Sequence, residues 1–289
     1  MKRKLAAVLI ALCLIWPVGG NASDEKTVLT SFYPVYIITA NLLENVPGVK
    51  IQNLAAPEIG CLHDYQLTTA DMKALAGADA FIVNGAGMES FLSDVAAQFK
   101  DLRLITATEG MTLLQEGNAH AWLSAKGAAA MATTIAAGLT AALPENEKAI
   151  EENLKGYLKR IETLDATLQA GLEPLYGKAI VTFHEAFPYF AETYGLQIAA
   201  VIEREPGEAL NPRELKELVE TIRSLDNPPL FIEPQYPDLA ARTLATETGA
   251  KVYTLDPIVT GPLGNAALTY YEETMLKNME ALIEAFRQS

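Results

Sequence analysis

Short apolar stretches alternate with amphipathic stretches over most of the chain. In the first part, β-branched and apolar runs predict strands at 28–32, 49–54, 80–84 and 102–106. Apolar positions recurring every three or four residues predict helices at 35–44, 69–76 and 88–99. Strands that alternate with helices in this way are typical of a parallel sheet covered by helices.

A long amphipathic pattern then runs over residues 145–171, with apolar positions at three- or four-residue spacing. At 1.5 Å per residue, such a helix is about 40 Å long. Beyond it the alternation resumes, with strands predicted at 179–183, 197–202, 230–233 and 251–255 and helices at 186–194, from 211, 237–248 and 269–286. The pattern predicts an α/β protein of two lobes, each a parallel sheet with flanking helices, joined by one long rigid helix.

The first residues have the pattern of a secretory signal. Basic residues at 2–4 precede an apolar run at 5–15, and small residues surround position 22. We therefore expect a signal peptide at 1–22, an N-terminal lobe at 23–144, a linking helix at 145–172 and a C-terminal lobe at 173–289. The expected location is the periplasm. A lipid anchor on Cys13, at the outer face of the membrane, is the lesser alternative because the bulky Leu12 precedes it.

Composition excludes several classes of protein. With 289 residues, 50% of them hydrophobic and 20% charged, the chain can bury a large core and is not globally disordered. A formal net charge of −14 repels phosphate backbones, so we expect no nucleic-acid partner, and we expect a monomer. Cys61 is the cysteine that remains beyond the signal peptide, so no intramolecular disulfide is expected there.

The three histidines occupy similar places in the predicted fold. His63, His120 and His184 each fall in a loop after a predicted strand, and Asp256 directly follows another strand. In open parallel sheets the ligand crevice lies beyond the carboxyl ends of the strands, so these loops should line one cleft. Any one histidine could be an ordinary surface or core residue, but all three in such loops favour a shared site. Three imidazoles and one carboxylate suit tetrahedral zinc.

Five segments resemble, in sequence and in order, the motifs of the zinc and manganese solute-binding proteins of ABC uptake systems. They are HDYQLT at 63–68, HAWLS at 120–124, FHEAF at 183–187, FIEPQ at 231–235 and LDP at 255–257. The resemblance covers nearly the whole chain beyond the signal peptide. It implies a transition metal bound in the cleft by two ligands from each lobe and handed to a membrane permease. The implied ligands are His63, His120, His184 and Asp256, and the implied transported ligand is Zn²⁺.

Two features refine the resemblance. Manganese-binding members carry a Glu at the position of His184, so this sequence resembles the zinc-binding branch. Zinc-binding members often have a long loop rich in His and acidic residues before the second His, which is absent here, so a single site is expected. The family's usual Asp-Pro before that His is Asn118-Ala119. We therefore expect His120 to be oriented by something other than the family's usual partner.

Three further residues are auxiliary candidates. Cys61 lies two residues before His63, where a thiolate could bind zinc, although a small buried cysteine under the loop is the simpler interpretation. Glu185 and Glu233 could each hold a ring N–H of a ligand histidine, or they could simply be solvated.

The leading hypothesis is an extracytoplasmic zinc receptor, not an enzyme, that delivers its metal to the permease of an ABC importer. A manganese or iron receptor of the same family is the first alternative. A secreted zinc hydrolase, with Glu185 as general base, is a second and would need an open fourth metal position. Against it, Asp256 would fill that position, and the sequence contains no His-Glu-x-x-His element.

Overall fold

The computed structural model describes residues 25–56, 59, 62, 65–115, 117–202, 211–225, 228–235 and 239–287. The predicted signal peptide, Cys13, Cys61 and His63 lie outside these residues. The domain boundaries proposed from the sequence therefore stay predictions.

The N-terminal lobe is built on a parallel sheet of four strands. The strands are β1 (Lys26–Thr30), β2 (Val49–Asn53), β3 (Ala80–Val83) and β4 (Arg103–Thr106), and the helices are α1 (Tyr33–Leu42), α2 (Thr69–Ala76), α3 (Leu92–Gln98) and α4 (Ala125–Ala142). The order in the sheet is β2-β1-β3-β4. All four residues of β3 are buried, as expected for a parallel strand covered by helices on both faces.

The linking helix α5 (Glu147–Leu172) is 26 residues long. Its buried stripe consists of Ile150, Tyr157, Ile161, Leu164, Leu168 and Leu172. Charged residues cover the opposite face, so the apolar spacing of the sequence is the reason for this orientation. The stripe packs on α1 and α4 of the N-terminal lobe.

The C-terminal lobe repeats the strand order of the first. Its strands are β5 (Ala179–Thr182), β6 (Gln197–Val201), β7 (Leu230–Ile232) and β8 (Val252–Thr254), and its helices are α6 (Pro188–Tyr194), α7 (Pro212–Ser224), α8 (Leu239–Thr248) and α9 (Tyr270–Arg287). The order is β6-β5-β7-β8, and every pair is parallel. Helix α9 packs back on α5, so α5 contacts both lobes. The predicted fold class is confirmed.

Most predicted elements lie within a few residues of the observed ones, but the helix predicted at 88–99 begins only at Leu92. The prediction of its first turn is wrong because the side chain of Glu89 is turned inward. Its carboxylate accepts hydrogen bonds from the backbone N–H groups of Asn84 and Gly85, and the chain there forms a turn instead of a helix.

Within the described part of the chain, no single helix is long and apolar enough to cross a membrane. The helices Ala125–Ala142 and Pro144–Leu175 reach that length only as a pair, and the pair is bent by 117°.

The strand order fixes where a ligand can bind. In each sheet the chain passes to opposite sides after the two central strands, β1 and β3 in one lobe and β5 and β7 in the other. The crevice of such a sheet lies beyond the carboxyl ends of those central strands. His184 follows β5 by two residues, and Glu233 directly follows β7. The motifs that contain His184 and Glu233 therefore lie beyond the carboxyl ends of the central strands, where open parallel sheets bind ligands.

Candidate metal centre between the lobes

The imidazoles of His120 and His184 meet between the two lobes. His120 precedes a short 3-10 turn, Ala121–Leu123, that leads into α4. The ring centroids of the two histidines are 5.0 Å apart, with an interplanar angle of 87°. Each residue is 3% exposed. The fold thus places one buried imidazole from each lobe in the same small space.

The ring of His184 is held by a buried carboxylate. Nδ1 of His184 lies 2.9 Å from Oε1 of Glu233, and Glu233 is 2% exposed. The second oxygen of Glu233 accepts a hydrogen bond from Nε2 of Gln235 at 2.6 Å. Because a carboxylate oxygen can only accept, Nδ1 carries the proton and Nε2 carries the lone pair of the neutral ring. This is the tautomer in which Nε2 can coordinate a metal.

The ring of His120 is held by an amide instead. Oδ1 of Asn118 accepts a hydrogen bond from the backbone N–H of His120 at 3.0 Å and lies 3.1 Å from its Nδ1. The atom that faces a backbone N–H must be the amide oxygen, so the orientation of the carboxamide follows from its neighbours. The same oxygen then accepts from Nδ1, and His120 has the same tautomer as His184. The partner of His120 is thus the neutral amide of Asn118, two residues before it.

Asp256 follows β8 in a turn beside the site. Its Oδ1 accepts a hydrogen bond from the backbone N–H of Ile258 at 2.7 Å, and its own N–H donates to Oδ1 of Asn278 at 2.8 Å. Burial raises the pKa of Asp256 above its ordinary range, and the nearby negative charge of Glu233 acts in the same direction. The turn is strained, because Ile258 is β-branched, buried and has a φ of 61°.

The predicted residues are only partly brought together. Glu185 lies next to His184 with an exposed side chain, and its backbone oxygen accepts from Nδ2 of Asn118 at 2.8 Å. In the described part of the chain, no three side chains of His, Cys, Asp or Glu lie close enough to hold one metal ion. His63 and Cys61 are not among the described residues. The four-ligand set therefore stays a prediction.

A tryptophan next to the site joins the lobes. The indole Nε1–H of Trp122 donates to the backbone oxygen of Pro257 at 2.8 Å, and the Tyr271 hydroxyl donates to the backbone oxygen of Trp122 at 2.7 Å. The indole ring also lies 5.1 Å from the ring of His120. Sequence reasoning missed these contacts, because the HAWLS segment indicates an aromatic near the site but not which backbone groups it reaches.

The N-terminal lobe has its own buried carboxylate at the ends of its central strands. Glu89, 5% exposed, accepts from the hydroxyl of Ser31 at 2.7 Å and from the N–H groups of Asn84 and Gly85 at 2.7 and 3.0 Å. Burial raises the pKa of Glu89, and these three donors oppose the rise. Nδ2 of Asn84 donates in turn to the backbone oxygen of Ala119, the neighbour of His120. This network ties the His120 loop to the sheet.

Comparison with known proteins identifies a family. A family model described as zinc-uptake complex component A, periplasmic (ZnuA), matches residues 28–285. The match includes both sheets, the linking helix and every segment that carries a predicted ligand.

Individual relatives are similar over most of the chain. The zinc-binding lipoprotein AdcA of Streptococcus pneumoniae is 26% identical over 97% of this chain, which spans only 60% of that protein. The manganese ABC transporter substrate-binding lipoprotein PsaA of Streptococcus mitis is 30% identical over 75% of this chain and 76% of its own length. Among solved structures, FpvC of Pseudomonas aeruginosa in complex with Mn²⁺ has a TM-score of 0.82 at 26% identity, covering 91% of this chain and 99% of its own.

Proposed function

This chain belongs to the family of zinc-uptake complex component A, and on that premise we propose that it is an extracytoplasmic receptor that binds zinc and delivers it to the permease of an ABC importer. The chain spans about 60% of the length of its AdcA relative, so activity, cargo and partner are all parts of this proposal.

One observation carries the proposal. His120 and His184 come from different lobes, are buried, and have ring centroids 5.0 Å apart. An oxygen acceptor lies beside Nδ1 of each ring, and metal-binding histidines characteristically have such a partner. Two imidazoles held in the metal-binding tautomer on opposite sides of a cleft fit a site that encloses a metal ion.

We assign His63 and Asp256 as the other two ligands. His63 follows β2 in the N-terminal lobe, and Asp256 follows β8 in the C-terminal lobe, so each lobe would contribute two ligands. With three nitrogens and one oxygen from the protein, a tetrahedral zinc has no position left for a water. An enclosed metal suits a receptor, whereas a hydrolase needs an open position, and this supports a receptor that is not an enzyme.

Zinc is the favoured cargo because of His184. Imidazole is a softer ligand than carboxylate and suits zinc, whereas carboxylates suit manganese. The AdcA relative is named for zinc, and the PsaA relative and the FpvC complex are named for manganese, so relatives of both kinds match this chain. The donor set of this chain supports the zinc assignment.

The test is metal competition on the purified protein. Elemental analysis of the protein as isolated, followed by competition between zinc and manganese, should show one zinc per chain and a strong preference for zinc. His184→Glu should shift that preference toward manganese, because it replaces the softer ligand with a harder one. An unchanged zinc-to-manganese ratio in His184→Glu would show that His184 does not bind the metal.

The proposed location and partner follow from the same premise. The first 22 residues have the pattern of a signal peptide, and the AdcA and PsaA relatives are named as lipoproteins. Export places the receptor where a permease can receive its metal. Whether the chain is soluble in the periplasm or lipid-anchored is decided by mass spectrometry of the processed N-terminus, for which we expect cleavage near position 22.

A further inference from the structure

A single side chain, the carboxamide of Asn118, contacts both loops that carry the central histidines. Its oxygen binds the backbone N–H and the ring Nδ1 of His120 in the N-terminal lobe. Its nitrogen donates to the backbone oxygen of Glu185, the residue after His184 in the C-terminal lobe, at 2.8 Å. The two loops are therefore connected by a chain of hydrogen bonds that runs from His120 through the carboxamide of Asn118 to the backbone oxygen of Glu185.

A second side chain clamps the same segment to the other lobe. The hydroxyl of Tyr189, on α6, donates to the backbone oxygen of Asn118 at 2.9 Å. The same hydroxyl also accepts a hydrogen bond from the backbone N–H of Leu114 at 3.0 Å. The Leu114 amide proton is thus bonded across the cleft, and its exchange with solvent requires that this contact between the lobes open.

An aspartate at position 118 could make only half of these contacts. A carboxylate would still accept from His120, but it has no N–H to donate to the carbonyl of Glu185. It would instead place two acceptor oxygens 2.8 Å apart, which is repulsive. The hydrogen bond to the backbone oxygen of Glu185 therefore depends on the amide.

We propose that Asn118 is a positioning residue that couples the two halves of the metal site: its oxygen orients His120 while its nitrogen, together with the bonds of Trp122 and Tyr189, holds the cleft closed. The metal-site part rests on the proposed function, since it treats His120 as a ligand. The link between the lobes rests only on the contacts described above.

Three variants separate these two roles. Asn118→Asp keeps the acceptor for His120 and removes the donor to Glu185, whereas Asn118→Ala removes both. Gln169→Glu is the matched control, because the exposed amide of Gln169 also donates to a backbone oxygen of α6, that of Thr193 at 3.3 Å, and the change adds the same charge. The first measurement is hydrogen exchange of the Leu114 amide in the metal-free protein.

The second measurement is the visible absorption spectrum of the Co²⁺-loaded protein, which responds to ligand geometry. We expect roughly two- to tenfold faster Leu114 exchange in Asn118→Asp and Asn118→Ala, because each loses one hydrogen bond between the lobes. The Co²⁺ spectrum should stay that of the wild type in Asn118→Asp and change in Asn118→Ala. Gln169→Glu should match the wild type in both measurements.

The outcomes that overturn the inference are distinct from those that overturn the proposed function. Wild-type Leu114 exchange in Asn118→Asp would show that the amide does not hold the lobes together. A wild-type Co²⁺ spectrum in Asn118→Ala would show that it does not orient a ligand. If the wild-type protein bound no metal while Asn118→Asp still accelerated the exchange, the proposed function would fail and the link between the lobes would stand.

Discussion

At the scale of single residues, the two central histidines differ in the charge of their partners. His184 is held by the carboxylate of Glu233, and His120 is held by the neutral amide of Asn118. A carboxylate partner raises the basicity of an imidazole more than an amide does, because its charge stabilises the positive ring. With both rings bound to the metal as proposed, the C-terminal lobe would supply the stronger nitrogen donor.

Replacing Glu233 by glutamine tests this difference. Glu233→Gln can still accept from Nδ1 of His184, but the negative charge is lost. The new amide N–H would face Nε2 of Gln235, so the Gln235 carboxamide must flip to accept from it, which it can do because its Oε1 is buried without a hydrogen-bond partner among the described residues. We expect zinc affinity to fall about 10- to 100-fold with little change in stability. In isothermal titration, Glu185→Gln, at the exposed neighbour of His184, should bind zinc as the wild type does.

The buried carboxyl of Glu89 gives a pH-dependent prediction. Its pKa is raised in the folded protein, so the folded state binds the proton more tightly than the unfolded chain does. This group then contributes fully to stability below about pH 4.3, which is the ordinary pKa of glutamate. The contribution is lost as the pH rises through the pKa of Glu89 in the folded state. The difference between the urea midpoint of the wild type and that of Glu89→Gln should therefore be smaller at pH 8 than at pH 4. A difference that grows with pH would mean that the three hydrogen-bond donors lower the pKa of Glu89 by more than its burial raises it.

The sequence indicates candidate residues for the site but not how each is held. As candidates they could be predicted because His184 directly follows a predicted strand, Glu233 ends another, and His120 lies in the loop after a third. The role of Asn118 could not, because its second contact is with the backbone oxygen of Glu185, 67 positions away. Any residue has such an oxygen, so no side-chain pattern marks it.

At the scale of elements, the start of α4 is built around the turn that carries His120. Gly127 lies in the first turn of α4, and a Cβ placed there would lie 1.9 Å from the backbone oxygen of Ala121. Ala121 directly follows His120, so the helix can pack this closely on the turn only because residue 127 has no side chain. The glycine therefore helps to position the histidine.

Two glycine-to-alanine changes should have opposite effects. Gly127→Ala should push the Ala121–Leu123 turn away, lowering both the unfolding free energy and the zinc affinity. Gly156→Ala, in the middle of α5, meets nothing within 4 Å and should stabilise the protein by about 0.5–1 kcal/mol, because alanine is the better helix former. Chemical denaturation and zinc titration of both variants give the comparison. Equal stability of the two would contradict the close packing at Ala121.

Elements with a local signature were predicted well, and those determined by tertiary contacts were not. The predicted bounds of α2 agree with the structure because Thr68 and Asp71 form a capping box at its start. The first turn predicted for α3 is missing because Glu89 binds backbone groups near β3. The bounds of α4 were not predicted, since its sequence is rich in alanine on all sides and lacks a clear contrast between apolar and polar faces.

At the scale of the whole molecule, a zinc ion bound by both lobes should stabilise the protein as a unit. Free zinc at about 100 times its Kd should raise the unfolding free energy by about 2.7 kcal/mol. His120→Ala and His184→Ala, one in each lobe, should each abolish most of this increase. Unfolding can be followed by the fluorescence of Trp122, the tryptophan that remains beyond the predicted signal peptide. An increase that persists in either variant would show that binding does not span the lobes.

The strained turn at Ile258 affects the energetics of release. A β-branched residue with a φ of 61° has a conformational energy about 1–3 kcal/mol above a relaxed one, and this residue lies two positions after Asp256. If the turn relaxes when the metal leaves, the strain weakens binding by roughly 5- to 150-fold relative to a turn that is relaxed in both states. A carrier that holds its cargo too tightly cannot unload it. On the proposed function, a turn that relaxes as Asp256 leaves the metal would lower the barrier to unloading.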